Sequence, residues 1–170
     1  KFTPRDRGLR ILMINPPIRE WSYPNIMPIG QGYVSAVAAM DGHQVQVLAP
    51  HSPSRQGEDG EEFIPLGRSV PLPSGGSIAR ISLSWWLLPK VRDLLRQEDF
   101  DIVHLHEPLA PILPLCVLEF SNAVNVGTFH ASYSHQRLYT VTHPLIKRWH
   151  RRLDGGIAVS AAAYRYVNSA

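Results

Sequence analysis

Cysteine is almost absent: one residue in a chain of 170. A single thiol excludes an intrachain disulfide framework. Cys116 lies in the apolar run Ile112-Leu113-Pro114-Leu115-Cys116-Val117-Leu118, which marks it as a buried, inert thiol rather than a nucleophile. Long hydrophobic runs are also missing. No stretch approaches the roughly 20 apolar residues a spanning helix needs, and Lys1–Gly8 holds no apolar leader. These two absences lead us to expect a cytoplasmic protein, at most peripheral on the inner face of a membrane. A large charge excess is lacking too: 17 Lys and Arg face 14 Asp and Glu, a net of +3. So mild a balance, with no binding motif behind it, argues against nucleic acid as a partner.

Two familiar signatures are incomplete. The dinucleotide fingerprint begins with Gly30-Gln31-Gly32 and then fails, because Ser35 stands where the third glycine belongs. His104, His106 and Glu107 invite a metal reading, but Ala110 stands where a zincin's second histidine would be. No metal site and no tightly bound cofactor is expected.

What is present is an alternation of strand and helix. Arg10–Asn15 is a continuous apolar run closed by two prolines, as in a buried parallel strand. The spacing predicts a helix over Ile29–Met40 ended by Asp41-Gly42, then a strand over Gln44–Leu48. His51–Glu62 is polar and reads as a loop. Short strands are expected near Phe63–Leu66 and Ile78–Leu83, around a turn at Pro73–Ser77. Leu87, Val91, Leu94 and Leu95 form one stripe of a helix from Trp86 to Gln97. Strands at Asp101–His106, Asn125–His130 and Gly156–Ser160 alternate with helices at Ala110–Phe120 and Thr142–Leu153 and from Ala161. The fold class is therefore α/β: a single Rossmann-like domain over residues 9–170, doubly wound on a mostly parallel sheet, after a flexible start at residues 1–8. Ligands of such sheets bind at the carboxyl ends of the strands, here the loops after Asn15, His106, His130 and Ser160.

Several residues at or near those ends could carry chemistry. His130 closes a strand of apolar and small residues; its imidazole either reaches a ligand hydroxyl or satisfies loop carbonyls. Strand alternation puts His104 and His106 on one face, with His104 packed on the sheet and His106 and Glu107 facing the crevice. Gly30 and Gly32 open the first helix, where glycines admit either a phosphate or a close-packed strand. Ser74-Gly75-Gly76-Ser77 with Arg80 suits an anion or polyol, or is only a hairpin turn. Trp85 and Trp86 precede Lys90, Arg92 and Arg96 on one amphipathic helix, a pattern that fits a membrane interface; alternatively both tryptophans are core, and the outcome expected is one buried and one exposed. Arg137–Arg152 holds five basic residues and no acid, a solvated face or an anion-attracting one.

The pieces Val47-Leu48-Ala49-Pro50, Val70-Pro71-Leu72-Pro73, Gly75-Gly76-Ser77-Ile78-Ala79-Arg80, Phe100–Pro108, Gly127-Thr128-Phe129-His130 and Ile157-Ala158-Val159-Ser160 occur in this order over Val45–Val167. Together they resemble the N-terminal domain of retaining GT-B glycosyltransferases of family four, of the phosphatidylinositol mannosyltransferase type. The resemblance implies a mannosyltransferase that moves a sugar, with retention, from a nucleotide-diphosphate sugar (GDP-mannose foremost) to a lipid acceptor such as phosphatidylinositol. It implies that His130 contacts the donor sugar as the catalytic residue, and that Glu107 and Pro108 line the cleft. Ser77 and Arg80 would dock the acceptor headgroup. Trp85, Trp86, Lys90, Arg92 and Arg96 would touch an anionic membrane surface. Gly30, Gly32, Ser132 and His135 complete the expected substrate-binding set. A C-terminal domain, absent here, would hold the nucleotide, and the chain without it is expected to be inactive. Ile14-Asn15-Pro16-Pro17, Trp21-Ser22-Tyr23-Pro24 and Pro28-Ile29-Gly30-Gln31-Gly32-Tyr33 depart from that pattern; with them, residues 9–45 instead resemble the cobalamin-binding domain of radical S-adenosylmethionine enzymes, which places a mosaic seam near residues 43–48. A corrinoid-binding module, or a non-catalytic binder of anions or membranes, is the alternative function.

Overall fold

The computed structural model describes residues 8–14, 29–51, 63–68, 70–74, 77–81, 86–110, 112–130 and 147–169. Six strands form one sheet: β1 (Arg10–Ile14), β2 (Gln44–His51), β3 (Phe63–Arg68), β6 (Ile102–His106), β7 (Val124–Phe129) and β8 (Gly155–Ala158). Its order is β3-β2-β1-β6-β7-β8, and every pair is parallel. β4 (Val70–Ser74) and β5 (Ser77–Ile81) make a separate antiparallel hairpin. The helices are α1 (Ile29–Met40), α2 (Leu87–Glu98), α3 (Leu113–Phe120) and α4 (Ala161–Ser169). This is the doubly wound Rossmann-like order, reversing direction between β1 and β6.

The strands alternate as a sheet covered on both faces requires. Leu12, Ile14, Leu48, Val103 and Leu105 share a core with Leu87 and Val91 of α2 and with Leu113, Cys116, Val117 and Leu118 of α3. Met13, Val45 and Val47 turn to the other face, against Ala38 of α1. Cys116 is buried as its surroundings foretold, and that burial pushes its thiol above the ordinary range.

Helix α1 stops as its sequence dictates. Gly42 takes φ +82°; its amide bonds Ala39 O, and the His43 amide bonds Ala38 O, both at 3.0 Å. These two bonds satisfy the last carbonyls with a left-handed residue where glycine carries no Cβ penalty. At this same, amino end of the strands, aspartates bridge neighbours. Asp101 Oδ2 accepts from the Arg10 amide at 2.9 Å, and Asp154 Oδ2 from the Asn125 amide at 2.8 Å.

The structure departs from the expected elements in a few places. Strand β4 was not foreseen, since two prolines in five residues suppress a strand pattern; a two-stranded hairpin tolerates them because each strand is an edge. Helix α3 begins at Leu113, not Ala110: Ile112 takes φ +70° and cannot continue a helix backwards. The last strand ends at Ala158 because Ser160 turns to cap α4, its Oγ accepting from the Ala163 amide at 3.1 Å. Of the helix expected over Thr142–Leu153, residues 147–150 are helical, with a turn at 151–152.

Candidate functional site at the carboxyl ends of the central strands

Topology alone selects the site. The order reverses between β1 and β6, so a crevice opens outside Ile14 and His106. A right-handed β1-α1-β2 crossover returns α1 antiparallel to the strands, which brings its first turn, with Gly30 and Gly32, to the same edge.

His104 and His106 stand two residues apart on β6, hence on one face. Register makes Met13, His104 and Val126 lateral neighbours, and places His106 beside Thr128. His104 Nε2 lies 2.8 Å from Thr128 Oγ1, so this histidine is engaged within the sheet. The His106 ring stacks on that of His104 (centroids 4.7 Å apart) and of His130 (5.2 Å, planes 15° apart). His106 Nδ1 and His130 Nε2 are 2.9 Å apart. His106 is 8% exposed, whereas His130, the residue after β7, is exposed.

Glu107 binds this group into one unit. Its backbone takes φ +51°, a left-handed conformation that costs a non-glycine residue about 1–2 kcal/mol. In that pose the Glu107 amide still donates to Thr128 O at 2.8 Å, and its Oε1 accepts the His130 amide at 2.7 Å. The side chain of β6's end thus holds the end of β7. Pro108 is buried and packs over Gly127, where an added Cβ would meet Pro108 Cγ at 2.8 Å.

All three rings are held toward neutrality. Burial pulls His106 down to about 3, with the charges of His104 and His130 adding to the effect. His104 is lowered by burial and then by His130; His130 is lowered by burial. A neutral imidazole at a crevice rim can offer one N–H and one lone pair to a ligand. No three His, Cys, Asp or Glu side chains converge as a metal set among the described residues.

The other expected site residues are not brought into this cluster by any described contact. Ser77 pairs in register with Ser74, and Arg80 with Pro71, on the separate hairpin. Ser132, His135 and Trp85 lie outside the described residues. On α2, Trp86 is 70% exposed, and Lys90 and Arg96 are also exposed, while Arg92 pairs with Asp93 at 3.0 Å. The apolar stripe of α2 is already spent on the core, through Leu87 and Val91. Any membrane contact of this helix must therefore use Trp86 and its cations, not insertion of that stripe. In the basic run, Arg148 pairs with Glu119, and Arg152 donates to Ser121 O at 3.1 Å; Lys147 and Arg151 are exposed. Sequence reasoning placed His106, Glu107 and His130 at the crevice and His104 against the sheet, but missed the direct link between His106 and His130, which no spacing rule encodes.

Residues 33–170 match the sequence profile of Glycosyltransferase Family 4. The chain is 39% identical over 125 residues to the phosphatidyl-myo-inositol mannosyltransferase of Mycobacterium leprae, covering 74% of this chain and 33% of the relative. Against the protein of that name from Mycobacterium tuberculosis the identity is 40% over 125 residues, with 74% and 32% covered. Against that from Mycolicibacterium smegmatis it is 36% over 125 residues, again with 74% and 32% covered. The chain spans about a third of the length of these curated relatives.

Proposed function

The chain belongs to glycosyltransferase family 4, and from that membership we propose that it forms the acceptor-side half of a mannosyltransferase acting on a phosphatidylinositol-type lipid. The relatives named above carry that activity in their names, and the corrinoid alternative has no support among them. The donor is a nucleotide-diphosphate sugar, GDP-mannose foremost, held mainly by a second domain across the crevice. The reaction proceeds with retention.

The observation that carries this reading is the placement of His130. Its ring stands exposed at the tip of β7, beside the switch point, with its backbone tied to Glu107 and its Nε2 against His106. An imidazole so placed can donate to a sugar hydroxyl and stabilise charge as the glycosidic bond breaks. Glu107 shapes the turn that lines the cleft. Gly30 and Gly32, in the first turn of α1, would admit a phosphate there. Ser77, Arg80, Ser132 and His135 complete the proposed substrate set. Trp85, Trp86, Lys90, Arg92 and Arg96 make up the proposed contact with the anionic membrane that carries the acceptor.

The test is His130→Ala in the full-length protein, assayed with GDP-mannose and phosphatidylinositol vesicles. Transfer should fall by at least about 100-fold, while the thermal midpoint stays near that of the parent, because the ring is exposed. Transfer within about threefold of the parent would overturn the assignment.

A further inference from the structure

His106 is the most enclosed of the three histidines that has a second ring nitrogen to account for. Its Nδ1 faces His130 Nε2 at 2.9 Å, and its Nε2 is buried with no hydrogen-bond partner among the described residues. Burial keeps the ring neutral, so it carries one hydrogen on two nitrogens. A buried N–H without an acceptor is rarer and costlier than a bare lone pair. The hydrogen therefore belongs on Nδ1, the one nitrogen with an acceptor in reach. That acceptor is Nε2 of His130, which must then be the unprotonated nitrogen of its ring. The hydrogen of neutral His130 falls on Nδ1.

We propose that His106 is a positioning residue for His130: its Nδ1–H, donated to His130 Nε2, fixes the orientation and tautomer of that ring so that His130 presents its own Nδ1–H to the ligand. The stack of His104 and His106 holds the donor in place from below, and the Oε1 of Glu107 holds the His130 backbone. The three contacts leave His130 little freedom except at the nitrogen it offers. The inference rests on the reading that His130 meets the sugar, although the tautomer itself does not depend on that reading.

The experiment is long-range proton–nitrogen correlation on the full-length protein labelled with nitrogen-15 in histidine, near pH 7.5. In the parent, His130 should show a protonated Nδ1 and a bare Nε2, and His106 the same. His106→Phe keeps a buried ring for stacking but has no donor, and His130 should then become a mixture of tautomers. His106→Asn sets an amide N–H close to the place of Nδ1 and should restore the single form. In the transfer assay His106→Phe should lower kcat by roughly 10- to 100-fold, as a slight misplacement of a reacting group does, with the donor KM within about threefold. His106→Asn should recover most of that loss. A parent His130 protonated at Nε2, or an unchanged His130 tautomer in His106→Phe, would overturn the proposal. The parent measurement decides even where a variant fails to fold. Full transfer by His130→Ala would instead sink the functional reading and leave the tautomer result standing.

Discussion

Glu107 shows how much one residue can reveal. Its left-handed backbone is a cost that glycine would avoid, yet glycine would lose the carboxylate that holds the His130 amide. Strain kept beside a ligand crevice is a mark of function. The buried histidines leave a second residue-scale signature, in the pH dependence of stability. His106 has a folded pKa of about 3 against 6.5 for the free side chain, so the unfolded chain binds the proton first. Its contribution is complete above about pH 6.5 and is lost progressively as pH falls toward 3, at up to about 1.4 kcal/mol per pH unit. His104, His130 and His150 are shifted in the same direction, largely by burial. Urea midpoints measured between pH 7.5 and 5 should fall with acid, and His106→Phe should flatten that slope. A parent protein equally stable at both ends would refute the assignment. Much of this cluster was legible in advance: alternation along β6 put His104 and His106 on one face, and apolar neighbours put His130 at a strand tip. The bond between His106 and His130 was not, because it depends on two side chains meeting across strands separated by a whole helix.

At the scale of elements, period was a good guide wherever one element buries one kind of face. α1 spans Ile29–Met40 as its spacing and its Asp-Gly stop require, and β1, β6 and β7 fall within a residue of their apolar runs. The failures were local chemistry overriding pattern: prolines in β4, a positive φ before α3, a serine cap after β8. α2 is the instructive case. Its amphipathic pattern fitted either a core helix or a membrane-surface helix, and burial of Leu87 and Val91 assigns the apolar stripe to the core. What remains outside is Trp86 with Lys90 and Arg96, so attraction to anionic lipid through this helix should be electrostatic and salt-sensitive. Reversing Lys90 and Arg96 to Glu together should weaken co-sedimentation with phosphatidylinositol vesicles several-fold at low salt, with little difference at high salt. Equal binding by the variant at low salt would show that other surfaces carry the contact.

For the molecule as a whole, β1 is the keystone, because it pairs with β2 on one side and β6 on the other. Its approach is equally constrained. A Cβ on Gly8 would lie 1.8 Å from the Gly42 carbonyl oxygen, a backbone atom at the turn that ends α1. Gly8→Ala should therefore destabilise the whole fold by about 1–3 kcal/mol, read as a lower urea midpoint with an unchanged slope; a midpoint equal to the parent's would show that the start of β1 shifts freely.

The doubly wound, mostly parallel class was readable from the alternation of periods, but the strand order and the separation of the β4–β5 hairpin from that sheet were not, since no local pattern says which strands join. The same parallel sheet has a consequence for catalysis under the reading advanced above. The ring of His106 closes β6 and that of His130 follows β7, adjacent strands that each pair on both sides. Under that reading a sugar set against these two rings takes its position from strands that are each hydrogen-bonded on both flanks, so the fidelity of its placement should belong to the sheet.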